Sequence, residues 1–206
     1  MPELPIPRNT VRRLPVYLAA TRVLQQDFEF IASHLLAEVA GVHAAQVRRD
    51  LSYVEKVSRR GRGYEVASLI RGLEDLLHTD EETPVVIVGA GKLGGAVAGY
   101  ERLEQTGHRV VALFDVNPAK IGRSVNGVPV RALDELPSVV AESGAKIGVV
   151  ATPPSAGSEA ATRLRDSGIR SILTFVPIER ENQTNEHVRM VDVATEMQIL
   201  DHYRDT

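Results

Sequence analysis

Over the first eighty residues, apolar positions recur at helical spacing. Val11, Leu14, Leu18, Val23 and Leu24 predict a helix from about Asn9, with Asn9 or Thr10 as its cap. Pro15 falls inside that pattern, where it predicts a kink or a late first turn. "HLLAEVA" predicts a second helix, capped by Ser33 and turning Leu35, Leu36 and Val39 inward. After the tight "AGVHA" turn, a third helix from about Ala44 to Tyr53 faces Val47 and Leu51 inward and Gln46, Arg48, Arg49 and Ser52 mostly outward. Helix, short glycine turn and helix is the helix-turn-helix order. "EKVSRRGRGYEV" then predicts a glycine-punctuated hairpin, the wing of a winged helix, and "ASLIRGLEDLLH" a further helix on Leu69, Leu73, Leu76 and Leu77. The acidic, proline-ended "TDEETP" predicts a boundary near Thr79–Pro84.

The pattern changes after that boundary. "VVIVGAG" is a short continuous apolar run, as a strand buried on both faces requires. "KLGGAVAGYERLEQTG" reads as one helix, "RVVALFD" as a strand, "LDELPSVVAES" as a helix and "KIGVVAT" as a strand. "AGSEAATRLRDSG" and "SILTFV" repeat the alternation. Strand and helix alternating at this pitch predict a doubly wound, Rossmann-like parallel sheet. "VRMVDVATEMQILDHYR" closes the chain as an amphipathic helix carrying Val191, Ala194, Met197, Ile199 and Leu200. The predicted organisation is α/β: a winged helix over 1–79, a Rossmann domain over 84–183 and a C-terminal helix over 188–206.

Composition narrows the chemistry. The 206 residues contain no cysteine and no tryptophan, which removes disulfides, thiolate metal sites and cysteine nucleophiles, and makes the core aliphatic. His34, His43, His78, His108, His187 and His202 are scattered, with no H-E-x-x-H pair, so no metal site is expected. The first twenty residues interleave arginine and proline with apolar positions, unlike a secretory h-region, and no apolar run is long enough to cross a bilayer. The expectation is a cytoplasmic protein. The net charge of −3 hides an asymmetry. Residues 1–78 carry 11 Lys and Arg against 9 Asp and Glu, and the remainder 13 against 18. Within 43–64, Arg48, Arg49, Lys56, Arg59, Arg60 and Arg62 are opposed only by Asp50 and Glu55. A basic helix face followed by a basic wing predicts DNA contacts: Arg48 and Arg49 on bases or phosphates, and Lys56, Arg59, Arg60, Arg12 and Arg13 on the backbone.

In the second half, Gly89, Gly91 and Gly94 follow a strand and open a helix, and Asp115 closes the next strand 21 residues beyond Gly94. In that context Gly89 permits the turn, Gly91 lets backbone approach a pyrophosphate, and Gly94 allows close helix–strand packing. Asp115 would accept from the adenosine ribose hydroxyls and repel a 2′-phosphate, favouring NAD over NADP. A dehydrogenase needs a substrate domain and a proton-transfer residue, yet only about 25 residues follow the predicted sheet and no Tyr-x-x-x-Lys pair is present. No catalytic residue is expected. The alternatives are a DNA-binding protein whose nucleotide response is weak or lost, and a small NAD-dependent oxidoreductase.

The stretches "IPRNTVRRLPVYL", "AEVAGVHAAQVRRDLSY", "RRGRGYEV", "VVIVGAGKLG", "ALFDVNPAKIG", "NGVPV", "TFVP" and "VDVATEMQIL", in that order, resemble the Rex family of redox-sensing transcriptional repressors. The resemblance implies a homodimer on a palindromic operator in double-stranded DNA. It further implies a C-terminal helix exchanged between subunits, with release of DNA when NADH binds and competition by NAD⁺. It extends the cofactor set to Ala90, Lys92, Leu93, Tyr100, Val116, Lys120, Thr152, Pro153, Phe175 and Pro177, and the DNA set to Gln46, Ser52 and Tyr53. It marks Asp192 as a switch residue. Ala19 stands where the family usually has the arginine that pairs with that aspartate, which leaves Asp192 unpaired or satisfied by Arg22.

Overall fold

The computed structural model describes residues 6–54, 63–79, 81–178 and 188–204. The chain divides into two compact units, Met1–Glu81 and Glu82–Thr206.

The first unit packs four helices, α1 (Arg8–Leu24), α2 (Ser33–Ala40), α3 (Ala44–Asp50) and α4 (Val66–Leu77), beside a two-stranded antiparallel sheet of β1 (Phe30–Ile31) and β2 (Tyr64–Glu65). Leu14, Tyr17, Leu18 and Leu24 of α1 meet Leu36 of α2, Val47 of α3 and Leu69 and Leu73 of α4 in one buried cluster. α1 begins at Arg8 behind Pro7 with no side-chain cap, and it runs through Pro15 as continuous helix. Thr10 is therefore not a cap; its buried hydroxyl donates to Asp50 instead. Ser33 likewise begins α2 rather than capping it, and its hydroxyl accepts from Arg48 at 2.9 Å. Val39, expected inside, is 43% exposed, because the short α2 turns Leu36 and Ala37 to the core. Most of the predicted wing, including Lys56, Arg59, Arg60 and Arg62, lies outside the described residues.

The second unit is a seven-stranded sheet. Its strands are β3 (Thr83–Val88), β4 (His108–Asp115), β5 (Ser124–Val125), β6 (Val128–Ala132), β7 (Ile147–Val150), β8 (Ser171–Thr174) and β9 (Val188–Met190). They lie in the order β5-β6-β4-β3-β7-β8-β9, parallel except for β5. Central β3 shows why its stretch Val85–Val88 is continuously apolar. Val86 and Val88 enter one core and Val85 and Ile87 the other, so neither face of the strand meets water. Among the described residues the remaining α-helices are α5 (Lys92–Ala98), α6 (Arg102–Gln105), α7 (Leu136–Ser143), α8 (Gly157–Asp166) and α9 (Val193–Tyr203).

Three expectations change here. The helix predicted over 92–107 is two helices, broken at Gly99. The Asn126 amide donates to the Gly95 carbonyl at that end, and a Cβ on Gly99 would overlap the same side chain. Residues 124–132 form a hairpin, turned by Asn126 and Gly127, both at positive φ. Residues 188–190 are an edge strand, so the final helix starts only at Val193, capped by Asp192.

Candidate functional site

β3 lies where the chain's crossovers change direction, with β4 on one side and β7 on the other. In an open parallel sheet that switch point leaves a crevice beyond the carboxyl ends of the strands. A cavity of about 400 Å³ lies there, walled by Val88, Gly89 and Gly91 at the end of β3, Phe114, Asp115 and Val116 at the end of β4, and Ala151, Thr152 and Pro153 after β7. Lys120, Leu133, Ala156, Glu159 and Ala160 complete it.

The three glycines answer different demands. A Cβ on Gly94 would overlap the Gly89 carbonyl oxygen, so α5 packs against the turn only because position 94 has no side chain. Gly89 sits at φ 108°, and a Cβ there would strike the Ala151 backbone. Gly91 is different: its φ of −87° suits any residue, and an added Cβ would meet nothing within 4 Å. No contact among the described residues requires glycine at 91. What its missing side chain leaves open is an approach to the backbone at the start of α5, in the wall of the cavity. The Thr152 hydroxyl, also in that wall, is buried with no hydrogen-bond partner among the described residues.

Asp115 is held tightly. One carboxylate oxygen accepts from the Ala90 N–H at 3.0 Å and from the Lys120 ammonium at 2.7 Å, and the other accepts from the Asn117 N–H at 2.9 Å. Burial disfavours the charge on Asp115, but the Lys120 bond and the two backbone bonds hold its carboxyl below the usual carboxylate range. The cavity thus offers a glycine turn, an anionic acceptor, a cation and an apolar pocket side.

Of the residues named for this site, Gly89, Gly91, Asp115, Val116, Lys120, Thr152 and Pro153 line the one cavity. Ala90 reaches it through its N–H on Asp115, while Lys92 and Leu93 are exposed at the start of α5. Gly94 serves packing. Phe175 packs into the core beside β8, and Pro177 is exposed two residues on. Tyr100 is not in the cavity. It is 57% exposed and lines a separate hollow of about 250 Å³ with Glu101, His108 and Asn126, because the break at Gly99 carries it away from the strand ends.

On the first unit, α3 exposes Arg48, Arg49 and, just beyond it, Ser52, with Tyr53 half-buried. The Ser52 hydroxyl donates to the Arg49 carbonyl. Arg12 is also exposed. Arg13 and Gln46 are not outward groups: both turn to Asp50, whose side chain is fully buried. Arg13 donates to it bidentately at 2.6 and 2.9 Å, Gln46 at 2.9 Å, Thr10 at 2.8 Å and Tyr17 at 2.7 Å. Burial opposes ionisation of Asp50, yet these donors together bring its carboxyl down to about 2. The same burial, reinforced by Asp50, pushes the Tyr17 hydroxyl up to about 12. Asp50, counted from sequence only as a charge opposing the basic patch, therefore pins α3 to α1. Its signal was its position: residue 50 shares the inward stripe of Val47 and Leu51, where a carboxylate must find donors.

Asp192 accepts from the Ala194 N–H and the Thr195 hydroxyl, capping α9, and these two bonds lower its carboxyl. Arg22, offered as its partner, pairs with Glu74 at 2.8 Å. Met190, Val193, Met197, Ile199, Leu200 and Tyr203 are each between 48 and 62% exposed. Among the described residues, no helix is long and apolar enough to cross a membrane, and no cluster of three metal-ligating side chains occurs.

Residues 80–178 match the family described as "CoA binding domain", and residues 5–52 the family described as "Putative DNA-binding protein N-terminus". The redox-sensing transcriptional repressor Rex of Streptomyces coelicolor is 41% identical over 196 residues, covering 95% of this chain and 76% of that protein. Two solved structures of RSP, a Rex-family repressor, superpose over 98% of this chain. The complex with β-NAD⁺ and operator DNA does so at TM-score 0.88, 29% identity and 93% of that chain. The complex with β-NADH does so at TM-score 0.84, 28% identity and 95% of that chain.

Proposed function

The chain belongs to the Rex family of redox-sensing transcriptional repressors, and from that premise we propose how its two units divide the work. The protein is a regulator rather than an enzyme. The second unit binds NAD⁺ or NADH in the crevice beyond β3, β4 and β7. The first unit binds a palindromic operator through α3, and NADH occupancy releases the DNA.

The observation that carries the cofactor half is Gly91. The protein's own packing leaves that position free, and an approaching pyrophosphate is what would require it bare. In this reading the N–H groups at the start of α5 face the phosphates, and the Thr152 hydroxyl finds in the ligand the partner it lacks in the chain. Asp115 offers its remaining lone pair to the adenosine ribose. The nicotinamide supplies its redox state as the signal.

The DNA half rests on the exposed arginines of α3 and on Asp50. Arg49 reads a base edge or grips a phosphate, with Arg48, Ser52, Tyr53 and Arg12 beside it. Arg13 and Gln46 act from inside, by holding α3 in register. Two copies of α3 must be set at operator spacing, and the exposed apolar run of α9 supports a homodimer formed through that helix.

A muted response to NADH is the second reading. Ala19 replaces the arginine expected to meet Asp192, Arg22 is engaged by Glu74, and Asp192 is satisfied by its own helix. One titration separates the two readings. Operator is first selected from randomised palindromic DNA, and its anisotropy is then followed as NADH is added. Release at NADH concentrations that saturate the protein supports the first; saturation with retained operator supports the second. Absence of NADH binding would overturn the first and leave a DNA-binding protein whose nucleotide response is lost.

A further inference from the structure

The Asp115–Lys120 pair has a consequence for cofactor choice, which rests on the dinucleotide reading above. The basic residue on Asp115 is Lys120, five residues on, whose ammonium lies 2.7 Å from a carboxylate oxygen. Both side chains line the cavity, Asp115 10% exposed and Lys120 39% exposed. The oxygen that holds Lys120 also holds the Ala90 N–H. A cation in the wall of the cavity and a backbone donor beside it are thus both committed to one carboxylate. We propose that Lys120 is a latent receptor for a ribose 2′-phosphate, held in check by Asp115, so that the pair rather than the aspartate alone sets the preference for NAD(H) over NADP(H).

A ribose hydroxyl carries a proton to donate and can use the lone pair left on the second Asp115 oxygen, which has only Asn117 as a partner. A 2′-phosphate has no such proton to spare and carries like charge, so the carboxylate rejects it. With the acid removed, the same corner gains a net positive charge. It also presents two unpaired donors, the Lys120 ammonium and the Ala90 N–H, to any anion entering the cavity. With the lysine removed instead, the carboxylate stands uncompensated, and its exclusion of phosphate sharpens.

The test compares dissociation constants for NADH and NADPH, read from reduced-nicotinamide fluorescence, in the unmodified protein, Asp115→Ser, Lys120→Met and the double variant. Asp115→Ser should bind NADH more weakly and NADPH at least about tenfold more tightly than the unmodified protein. The double variant should lose that gain. Lys120→Met should widen the ratio between the two cofactors. An unchanged NADPH affinity in Asp115→Ser, a gain that survives in the double variant, or an unchanged ratio in Lys120→Met would each overturn the proposal. Lys120→Met keeps the backbone bonds to Asp115 and carries the test alone should Asp115→Ser fail to fold. Failure of the unmodified protein to bind NADH would instead overturn the dinucleotide reading itself.

Discussion

Asp50 is the group on which the geometry of the reading head depends, and Asp50→Asn isolates it. The carboxylate takes five hydrogen bonds from Thr10, Arg13, Tyr17 and Gln46 with its side chain out of contact with water. An amide in its place turns two hydrogens toward groups that are themselves donors and removes the charge opposite Arg13. Breaking a buried pair by removing one partner costs about 3 kcal/mol or more. The pH dependence gives a second measure. The carboxyl is lowered from 3.8 to about 2, so it contributes about 2 kcal/mol at neutral pH. Because the folded value is the lower one, that contribution is complete above the unfolded value and lost as pH falls through the folded one, from about 4 toward 2. Tyr17 has the opposite sign. Raised to about 12, it favours the folded state fully below pH 10 and loses that effect as pH rises toward 12. Native-state hydrogen exchange resolves α1 and α3 amides separately from the second unit. Asp50→Asn should lower their opening free energy by about 3 kcal/mol, leave the sheet amides unchanged and flatten the acid limb. A loss under about 1 kcal/mol, the worth of an exposed ion pair, would refute the pinning role.

The remaining expectations concern both units. Gly91→Ala should weaken NADH binding about tenfold while leaving the thermal transition in place, whereas Gly94→Ala should lower the transition itself; equal thermal effects would remove the ligand argument from position 91. Arg49→Ala should cost about 1–3 kcal/mol of operator affinity and relax sequence preference if it reads a base. Uniform weakening with a shallower salt slope would assign it to phosphate instead. Met197→Glu with Leu200→Glu places two charges on the exposed run of α9, and sedimentation should show a monomer; an intact dimer would exclude α9 as the interface.

Much of this was legible in the sequence, for physical reasons that also mark where legibility stopped. β3 could be read because a strand covered on both faces must be apolar at every position, and Gly94 because its packing leaves no alternative residue. The 124–132 hairpin was missed although Asn126–Gly127 is a strong turn signal, since its strands are short and β5, with Ser124 exposed and only Val125 packed inward, has no apolar run. The break at Gly99 could not be read locally. Asn126, distant in sequence, packs its amide against that end, and beyond the break Tyr100 lies outside the cavity. Arg13 looked like an outward group because a charge count cannot tell a solvated arginine from one turned to a buried acid, and Gln46 because helical spacing alone does not show that its amide reaches back one turn to Asp50. The Asp115–Lys120 contact was hidden by the intervening turn, in which the Asn117 side chain accepts from the Ala119 N–H.

Dinucleotide and operator are proposed to report on one another through the two units, and binding linkage makes that claim symmetrical. The direct measurement is the NADH dissociation constant of the free protein set against that of the protein saturated with operator. The account predicts that operator weakens NADH binding, by the same factor by which NADH weakens operator binding. Equal constants with and without operator would contradict it.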